Sequence, residues 1–155
     1  MANILGTPAS DVELPDPAGK TISLYSIPAS YTVVAFWDPT CGHCKETLPK
    51  LDSLYRAKWQ ADSVKIFAVS KETDGTKADW VKFIKDNKIM DWSHVYYSKE
   101  ADKNRTDNGI PGYSQLFDVQ SFPTLYLLDK DKRIIAKKLS YQQLDEIIQL
   151  KKKGQ

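Results

Sequence analysis

A buried strand followed closely by an amphipathic helix is the feature that most restricts the fold of this chain. Residues 31–37, YTVVAFW, are β-branched and aromatic throughout, which is typical of a strand buried on both faces. Residues 42–59 place apolar side chains at spacings of three and four, which predicts a helix with one apolar face. The alternation repeats as a strand over 64–70 and a helix over 76–89. Strand–helix–strand crossovers of this length imply parallel strands.

The two ends of the chain predict hairpins. Near the start, VEL and KTISL flank the turn PDPAGK, and near the end strands over 122–128 and 133–138 flank the turn DKDK. Ser140 and Gln143 fit a capping box that opens a last helix. The segments between are predicted as a strand over 93–97, a loop over 98–112 and a short helix within 113–119.

Together these patterns predict an α/β fold with a central mixed sheet. Its first strands run parallel, its last two strands form an antiparallel hairpin, helices cover both faces, and the N-terminal hairpin is an addition. The length of 155 residues predicts a single domain over 1–155. Pro49 lies inside the first predicted helix and should kink it.

Composition argues against several classes of function. The net charge is only +2 and most lysines are scattered, so nucleic acid is not an expected partner. No apolar run approaches the ~20 residues of a transmembrane helix, and residues 1–10 do not resemble a signal peptide. We therefore expect either a cytosolic protein or a chain that begins after a removed segment.

The chain has two cysteines, and they form a Cys-x-x-Cys pair between the first buried strand and its helix. Sites collect at this carboxyl end of strands, and a helix start favours an anion. We therefore expect this position to favour the thiolate form of Cys41, which would make it the nucleophile. Cys44, one turn deeper, could reach Cys41 and resolve a mixed disulfide. His43 between them would stabilise the thiolate.

Other uses of the cysteines stay open but fit less well. A helix start does not suit inert core cysteines, and a disulfide closing so short a loop constrains the unfolded chain little. A zinc site needs four ligands, and the chain offers two cysteines and two histidines, with His43 crowded between the cysteines. We expect no metal, and no cofactor beyond a redox-active Cys41–Cys44 disulfide.

A second signal is the segment QSFPTLYLL. Proline cannot donate to a β ladder, so Pro123 belongs at a strand start or an edge. A cis peptide before it would give the backbone a tight, specific shape. Seen alone, the segment favours an ordinary trans proline. In a chain that also carries a strand–Cys-x-x-Cys–helix unit, the cis form is the better prediction.

Three segments together resemble the thioredoxin superfamily. VVAFWDPTCGHCKETLPKL resembles its active-site strand, motif and kinked helix, and DVQSFPTLYLLDKDKRI resembles its cis-proline hairpin. The start, GTPASDVELPDPAGKTISLYSI, resembles a signature shared by peroxiredoxins and TlpA/ResA-type thiol:disulfide oxidoreductases. The positions that carry this signature are Gly6, Pro8, Ala9, Leu14, Asp16, Gly19, Lys20 and Leu24. The chain is therefore similar to the TlpA/ResA type over most of its length, which implies a thioredoxin fold.

The resemblance implies an enzyme that exchanges disulfides with protein substrates through a mixed disulfide. Cys41 would attack, Cys44 would resolve, and Pro123 would be a cis proline that contacts the substrate backbone, with His43 as a further catalytic residue. The substrate groove is expected to include Trp37, Pro39, Thr40, Phe122 and Thr124. The resemblance also implies an unidentified redox partner and a periplasmic or cell-envelope location, with any membrane anchor in segments absent from this chain. We expect a monomer.

Two departures from the family pattern leave the acceptor of the Cys44 proton open. The acid that thioredoxins bury before the motif falls at Ala35, and the glutamate that TlpA/ResA-type proteins carry after the second cysteine falls at Thr47. Glu46 and Glu72 are the candidates that remain, although Glu46 should face elsewhere on the helix. The CGHC motif resembles protein disulfide isomerase, which implies a less reducing pair.

Two other functions remain as alternatives. A peroxiredoxin-like thiol peroxidase shares the N-terminal signature, but its threonine lies three residues before the cysteine, whereas Thr40 adjoins Cys41. A non-catalytic binding module would keep the thioredoxin fold without its chemistry. The intact Cys-x-x-Cys motif argues against the second alternative.

Overall fold

The computed structural model describes residues 3–154, in which strands and helices alternate largely as predicted. The strands are β1 (Glu13–Pro15), β2 (Thr21–Ser23), β3 (Tyr31–Trp37), β4 (Val64–Lys71), β5 (Ser93–Tyr97), β6 (Thr124–Leu128) and β7 (Ile134–Lys137). The helices are α1 (Gly42–Leu54), α2 (Lys77–Asp86), α3 (Lys99–Asp107), α4 (Tyr113–Leu116) and α5 (Tyr141–Lys153). A 3-10 turn, Leu24–Ser26, follows β2, and a π-helical turn, Tyr55–Trp59, follows α1.

A five-stranded mixed sheet in the order β5-β4-β3-β6-β7 forms the centre of the fold. β3, β4 and β5 are parallel, whereas β6 is antiparallel to both β3 and β7. β1 and β2 form a separate two-stranded sheet. The predicted thioredoxin fold, with its mixed sheet and added N-terminal hairpin, is thus confirmed. The central strand is β3, which leads directly into the cysteine motif.

Two apolar cores lie on opposite faces of the sheet. Successive side chains of a strand point to opposite faces, so Val33 and Ala35 join one core while Val34 and Phe36 join the other. The first face packs against α1, α2 and α5, and the second against α3, α4 and the β1–β2 hairpin. Both faces of β3 are therefore apolar, which explains why its sequence does not alternate with polar residues.

A helix, α3, forms where the sequence predicts a loop over 98–112. Its residues are all at least partly exposed, so no hydrophobic periodicity announces it in the sequence. Local interactions stabilise it instead. The Ser98 hydroxyl oxygen accepts the Ala101 N–H at 3.0 Å, and Lys103 pairs with Asp107 one turn later at 2.6 Å. Caps and such pairs stabilise a helix without burying apolar surface, so the loop prediction is wrong here.

The helix predicted over 42–59 changes form near its end. Pro49 lies inside α1 as expected, and the last turn, Tyr55–Trp59, is π-helical. Trp59 is completely buried after this wider turn, and its indole N–H donates to Asp145 of α5 at 2.9 Å. This hydrogen bond ties the end of the active-site helix to α5 on the same face of the sheet.

A neutral histidine, His94, is buried on β5. Its Nε2 lies 2.8 Å from the Ile89 carbonyl oxygen, and because a carbonyl only accepts, this nitrogen carries the proton. The ring stacks on Trp92 with centroids 5.4 Å apart. Burial lowers the pKa of His94 to about 4, although the Ile89 carbonyl and the charge of Asp91 act in the opposite direction.

The substitution His94→Gln should reduce the loss in free energy of unfolding that occurs as the pH falls from 7 to 4. An unfolded histidine has a pKa of about 6.5, so the unfolded chain binds a proton that the folded protein excludes down to about pH 4. Stability from this residue is therefore present above pH 6.5 and falls by about 3 kcal/mol as the pH drops to 4. Urea unfolding at pH 7, 5.5 and 4 measures this loss. An equal loss in the glutamine variant would contradict the assignment.

Candidate active site

Cys41 is the residue immediately before the first helical residue of α1. Its backbone is extended, with φ −83° and ψ 122°, and its side chain caps none of the helix N–H groups. Its own N–H donates to the Asp38 carbonyl at 3.0 Å, which closes the turn between β3 and α1. The partly exposed thiol therefore lies at the positive end of the helix, where backbone N–H groups lack partners within the helix.

Cys44 lies one turn into α1 and is completely buried. Burial raises the pKa of the Cys44 thiol well above its usual range, and a backbone hydrogen bond from Asp38 opposes this rise. The nearby Cys41 thiol and the negative charge of Asp38 raise the pKa further. Both cysteines are free thiols in this structure, and they are unequal: solvent reaches only the first.

A cis peptide joins Phe122 to Pro123 and faces the first thiol. The Cys41 sulfur lies 3.6 Å from the Phe122 carbonyl oxygen, across 81 positions of sequence. The β3–β6 ladder brings these segments together, with Phe36 opposite Thr124 at its end. The cis form predicted for this proline, and its position opposite the motif, are confirmed.

A cavity of about 630 Å³ opens beside Pro123, between the start of α1 and the start of α5. We call it the proline-side groove. Its walls include His43, Glu46 and Lys50 from α1 and Tyr141 from α5. Charged, aromatic and aliphatic side chains line it, and the three α1 residues are exposed to solvent.

Three of the predicted groove residues are buried, namely Trp37, Pro39 and Thr124. Trp37 has no exposed surface and packs against Phe83 with ring centroids 4.9 Å apart. Thr124 is 6% exposed, and its hydroxyl donates to the Ser121 carbonyl at 2.7 Å. The prediction that Trp37 lines a substrate groove is wrong, because its side chain is enclosed between β3 and α2. Thr124 lines a cavity of about 170 Å³ next to Pro123.

Pro39, Thr40 and Phe122 lie on two sides of Cys41. Phe122 lines the proline-side groove. Pro39 and Thr40 line a separate cavity of about 290 Å³ against α2, where Pro39 is buried and Thr40 is exposed. These predicted groove residues thus line separate cavities, which the sequence does not indicate.

The two predicted proton acceptors, Glu46 and Glu72, are both at least partly exposed, unlike the Cys44 thiol. The Glu72 carboxylate accepts the N–H of Lys99 at 2.8 Å, at the start of α3. Glu46 is exposed on the proline-side groove. The carboxylate whose charge acts on Cys44 is instead that of Asp38, which is 6% exposed. Sequence reasoning missed Asp38, although an acid directly after a buried strand, where sites collect, was a usable signal.

Metal and membrane features can be stated for residues 3–154. In that range no three His, Cys, Asp or Glu side chains come together in a way that could hold a metal ion. Within the same described part of the chain, none of the helices has the length and apolarity needed to cross a bilayer.

A thioredoxin fold that presents Cys-x-x-Cys at a helix start, opposite a cis proline, defines a dithiol protein of the thioredoxin superfamily. Solved structures of similar fold support this class. A domain of a possible thiol-disulfide isomerase from Cytophaga hutchinsonii is 34% identical, with a TM-score of 0.80, and the match covers 99% of this chain and 96% of that one. The thioredoxin domain of a thiol-disulfide oxidoreductase from Bacteroides vulgatus is 26% identical, with a TM-score of 0.75 and coverage of 96% and 97%.

Sequence comparison gives the family. The thiol-disulfide oxidoreductase ResA of Bacillus cereus is 24% identical over 143 residues, which are 92% of this chain and 74% of that protein. The AhpC/TSA family model matches residues 5–137, and the chain belongs to this family. The predicted likeness to TlpA/ResA-type proteins is confirmed, as is the predicted class of enzyme, a thiol:disulfide oxidoreductase.

Iodoacetamide should distinguish the two thiols in the folded, reduced protein. We expect alkylation of Cys41 at pH 7.5 and protection of Cys44, because Cys44 is buried and its raised pKa keeps it protonated. Peptide mass spectrometry measures both, with Cys41→Ser as the control that should remain unlabelled until guanidinium unfolds it. Equal labelling of both cysteines in the native protein would contradict the burial of Cys44.

Proposed function

We propose that this protein exchanges disulfides with protein substrates through its Cys41-Gly42-His43-Cys44 motif. The observation that carries the proposal is the asymmetry of the pair. A partly exposed thiol lies at a helix start, 3.6 Å from the Phe122 carbonyl, and a completely buried thiol lies one turn behind it. An exposed attacking sulfur with a protected second sulfur is the arrangement that two-step exchange requires.

The proposed reaction has two steps. The Cys41 thiolate attacks one sulfur of a substrate disulfide, so that a mixed disulfide forms and the other substrate sulfur leaves as a thiolate. Cys44 then loses its proton and attacks the Cys41 sulfur. The Cys41–Cys44 disulfide forms, the second substrate sulfur leaves and takes up a proton, and two electrons have passed to the substrate. The reverse sequence oxidises a substrate dithiol.

Polypeptides are the substrates that the proline-side groove supports best. The groove runs along the cis-proline loop, its volume of about 630 Å³ suits several side chains, and its walls mix charged with aromatic groups. Such mixed, open surfaces are typical of peptide contacts rather than of small apolar ligands, which favour enclosed apolar pockets. His43, at the mouth of this groove, is proposed to stabilise the Cys41 thiolate as the exchange proceeds.

The cellular setting is proposed by resemblance to TlpA/ResA-type proteins. We infer a monomer at the cell envelope or in the periplasm. A separate redox partner would return the cysteine pair to its starting redox state, and no cofactor beyond the Cys41–Cys44 disulfide would be needed. The CGHC motif supports a pair that is less reducing than thioredoxin, for which a potential of about −270 mV is typical. The net charge of +2 gives no reason to expect nucleic acid as a partner.

Trapping tests the proposed roles of the two cysteines. Cys44→Ser should accumulate mixed disulfides on Cys41 when incubated with a disulfide-containing protein such as oxidised, scrambled ribonuclease, because nothing remains to resolve them. Cys41→Ser should accumulate none, since its remaining thiol is buried. Non-reducing electrophoresis and mass spectrometry measure the adducts, with the wild-type protein and the double serine variant as controls.

Two results would count against the proposal. Mixed disulfides on Cys44 in the Cys41→Ser variant would reverse the assigned roles. Rapid, catalytic consumption of hydrogen peroxide by the wild-type protein, with no exchange on protein disulfides, would favour the peroxidase alternative that the N-terminal signature raises.

A further inference from the structure

Asp38 is a buried acid without a cationic partner. It directly follows β3, three residues before Cys41, and is 6% exposed. Within residues 3–154 it takes part in no ion pair with Lys, Arg or His. Burying an unpaired carboxylate is unfavourable unless hydrogen bonds or a functional requirement compensate for the lost solvation.

Three hydrogen bonds hold this carboxylate in a fixed orientation. One oxygen, Oδ1, accepts both the N–H and the hydroxyl of Thr40, each at 2.9 Å. The other oxygen, Oδ2, accepts the hydroxyl of Thr73, which comes from the loop after β4. A carboxylate has about four acceptor sites, so both sites of Oδ1 are occupied and one site of Oδ2 remains.

The buried thiol of Cys44 lies in the first turn of α1, the helix that follows Asp38. The Asp38 carbonyl oxygen accepts the N–H of Cys41 at 3.0 Å, which fixes residue 38 in the turn that leads into α1. A backbone hydrogen bond from Asp38 lowers the pKa of Cys44, and the negative charge of Asp38 raises it. The charge also reaches Tyr96 on β5, where burial, Glu72 and Asp38 together raise the tyrosine pKa to about 12.

We propose that Asp38 is the residue that accepts the proton of Cys44 when the mixed disulfide is resolved. This inference rests on the proposed exchange function. The free site on Oδ2 takes the thiol proton, which leaves a Cys44 thiolate and a neutral Asp38. The thiolate attacks the Cys41 sulfur, the Cys41–Cys44 bond forms, and the substrate sulfur departs as a thiolate. Asp38 then returns its proton to that sulfur or to solvent.

The two glutamates considered from the sequence are weaker acceptors for this proton. Glu72 has one carboxylate oxygen engaged with the N–H of Lys99, and Glu46 points to solvent in the proline-side groove. Neither charge contributes to the acidity of Cys44, whereas Cys41 and Asp38 do. Asp38 also occupies neither of the positions where related proteins carry their acid, which here are Ala35 and Thr47.

The substitution Asp38→Asn tests the role with little change in shape. The amide oxygen can still accept from Thr40, and the amide nitrogen can donate to the Thr73 hydroxyl, but no base remains. The reduced protein is mixed with 5,5′-dithiobis(2-nitrobenzoate) in a stopped-flow instrument. The first release of nitrothiobenzoate reports attack by Cys41, and the second reports resolution by Cys44.

We expect the second phase of Asp38→Asn to slow about 100-fold at pH 7, the lower end of the usual effect of a general base, while the first phase stays within about twofold. Asp74→Asn is the matched control, because Asp74 is an exposed acid next to Thr73, and both phases should match the wild type. A wild-type second phase in Asp38→Asn would overturn the proposal and leave the exchange function intact. Loss of the first phase from the wild-type protein would instead refute the exchange function.

A pH titration separates proton transfer from a purely electrostatic or structural effect. In a Cys41→Ser background, the ¹³Cβ chemical shift of Cys44, followed by NMR against pH, reports the pKa of Cys44 alone and needs no reagent to reach the buried sulfur. The ionisable neighbours are then Asp38 and, near Tyr96, Glu72 and Asp79. Removing the Asp38 charge should lower the Cys44 pKa, which by itself would accelerate resolution. A lower pKa together with slower resolution therefore supports proton acceptance, and a lower pKa with faster resolution would overturn it.

A measurement on the unaltered protein covers the case in which the asparagine variant does not fold. Carboxyl ¹³C resonances of the reduced protein are followed by NMR through the titration of Cys44. The Asp38 resonance should shift together with that titration and should lose the shift once the Cys41–Cys44 disulfide has formed. An Asp38 resonance that does not respond to Cys44 would contradict the proposal.

Discussion

The antiparallel pairing of β3 with β6 brings together two segments that lie 81 positions apart in the chain. β3 ends at the cysteine motif, and β6 begins at the residue after the cis proline. Because both strands are buried in the centre of the sheet, their ends are held by two apolar cores. The 3.6 Å contact between Cys41 and the Phe122 carbonyl therefore depends on the whole sheet rather than on local loop structure.

The same architecture makes the two thiols different. Helix periodicity turns Cys44 towards the core while Cys41, before the first turn, keeps access to solvent. Burial favours the protonated thiol at Cys44. In the exchange proposed above, a thiol that stays protonated would not compete with Cys41 for substrate. Resolution would then require a base that removes its proton, and we propose the buried, triply hydrogen-bonded Asp38 for that step.

Much of the fold could be predicted from the sequence because its buried strands are runs of β-branched and aromatic residues. β3 and β5 have the predicted bounds, since both are short apolar runs between polar segments. α3 could not be predicted, because hydrogen bonds and ion pairs stabilise it without an apolar face. At the site, motif spacing identified the thiols and Pro123. The burial of Trp37 depends on packing between β3 and α2, and the orientation of Asp38 depends on hydrogen bonds from Thr40 and Thr73, which no local pattern encodes.

A redox titration tests the central claim that Cys41 and Cys44 form one reversible dithiol–disulfide pair. The protein is equilibrated in glutathione buffers of increasing oxidised fraction, quenched with acid, alkylated and weighed by mass spectrometry. The account predicts a single two-electron transition in which both thiols disappear together into an internal disulfide, at a potential between about −270 and −180 mV. Two thiols that remain alkylatable at every ratio, or that form only separate glutathione adducts, would contradict it.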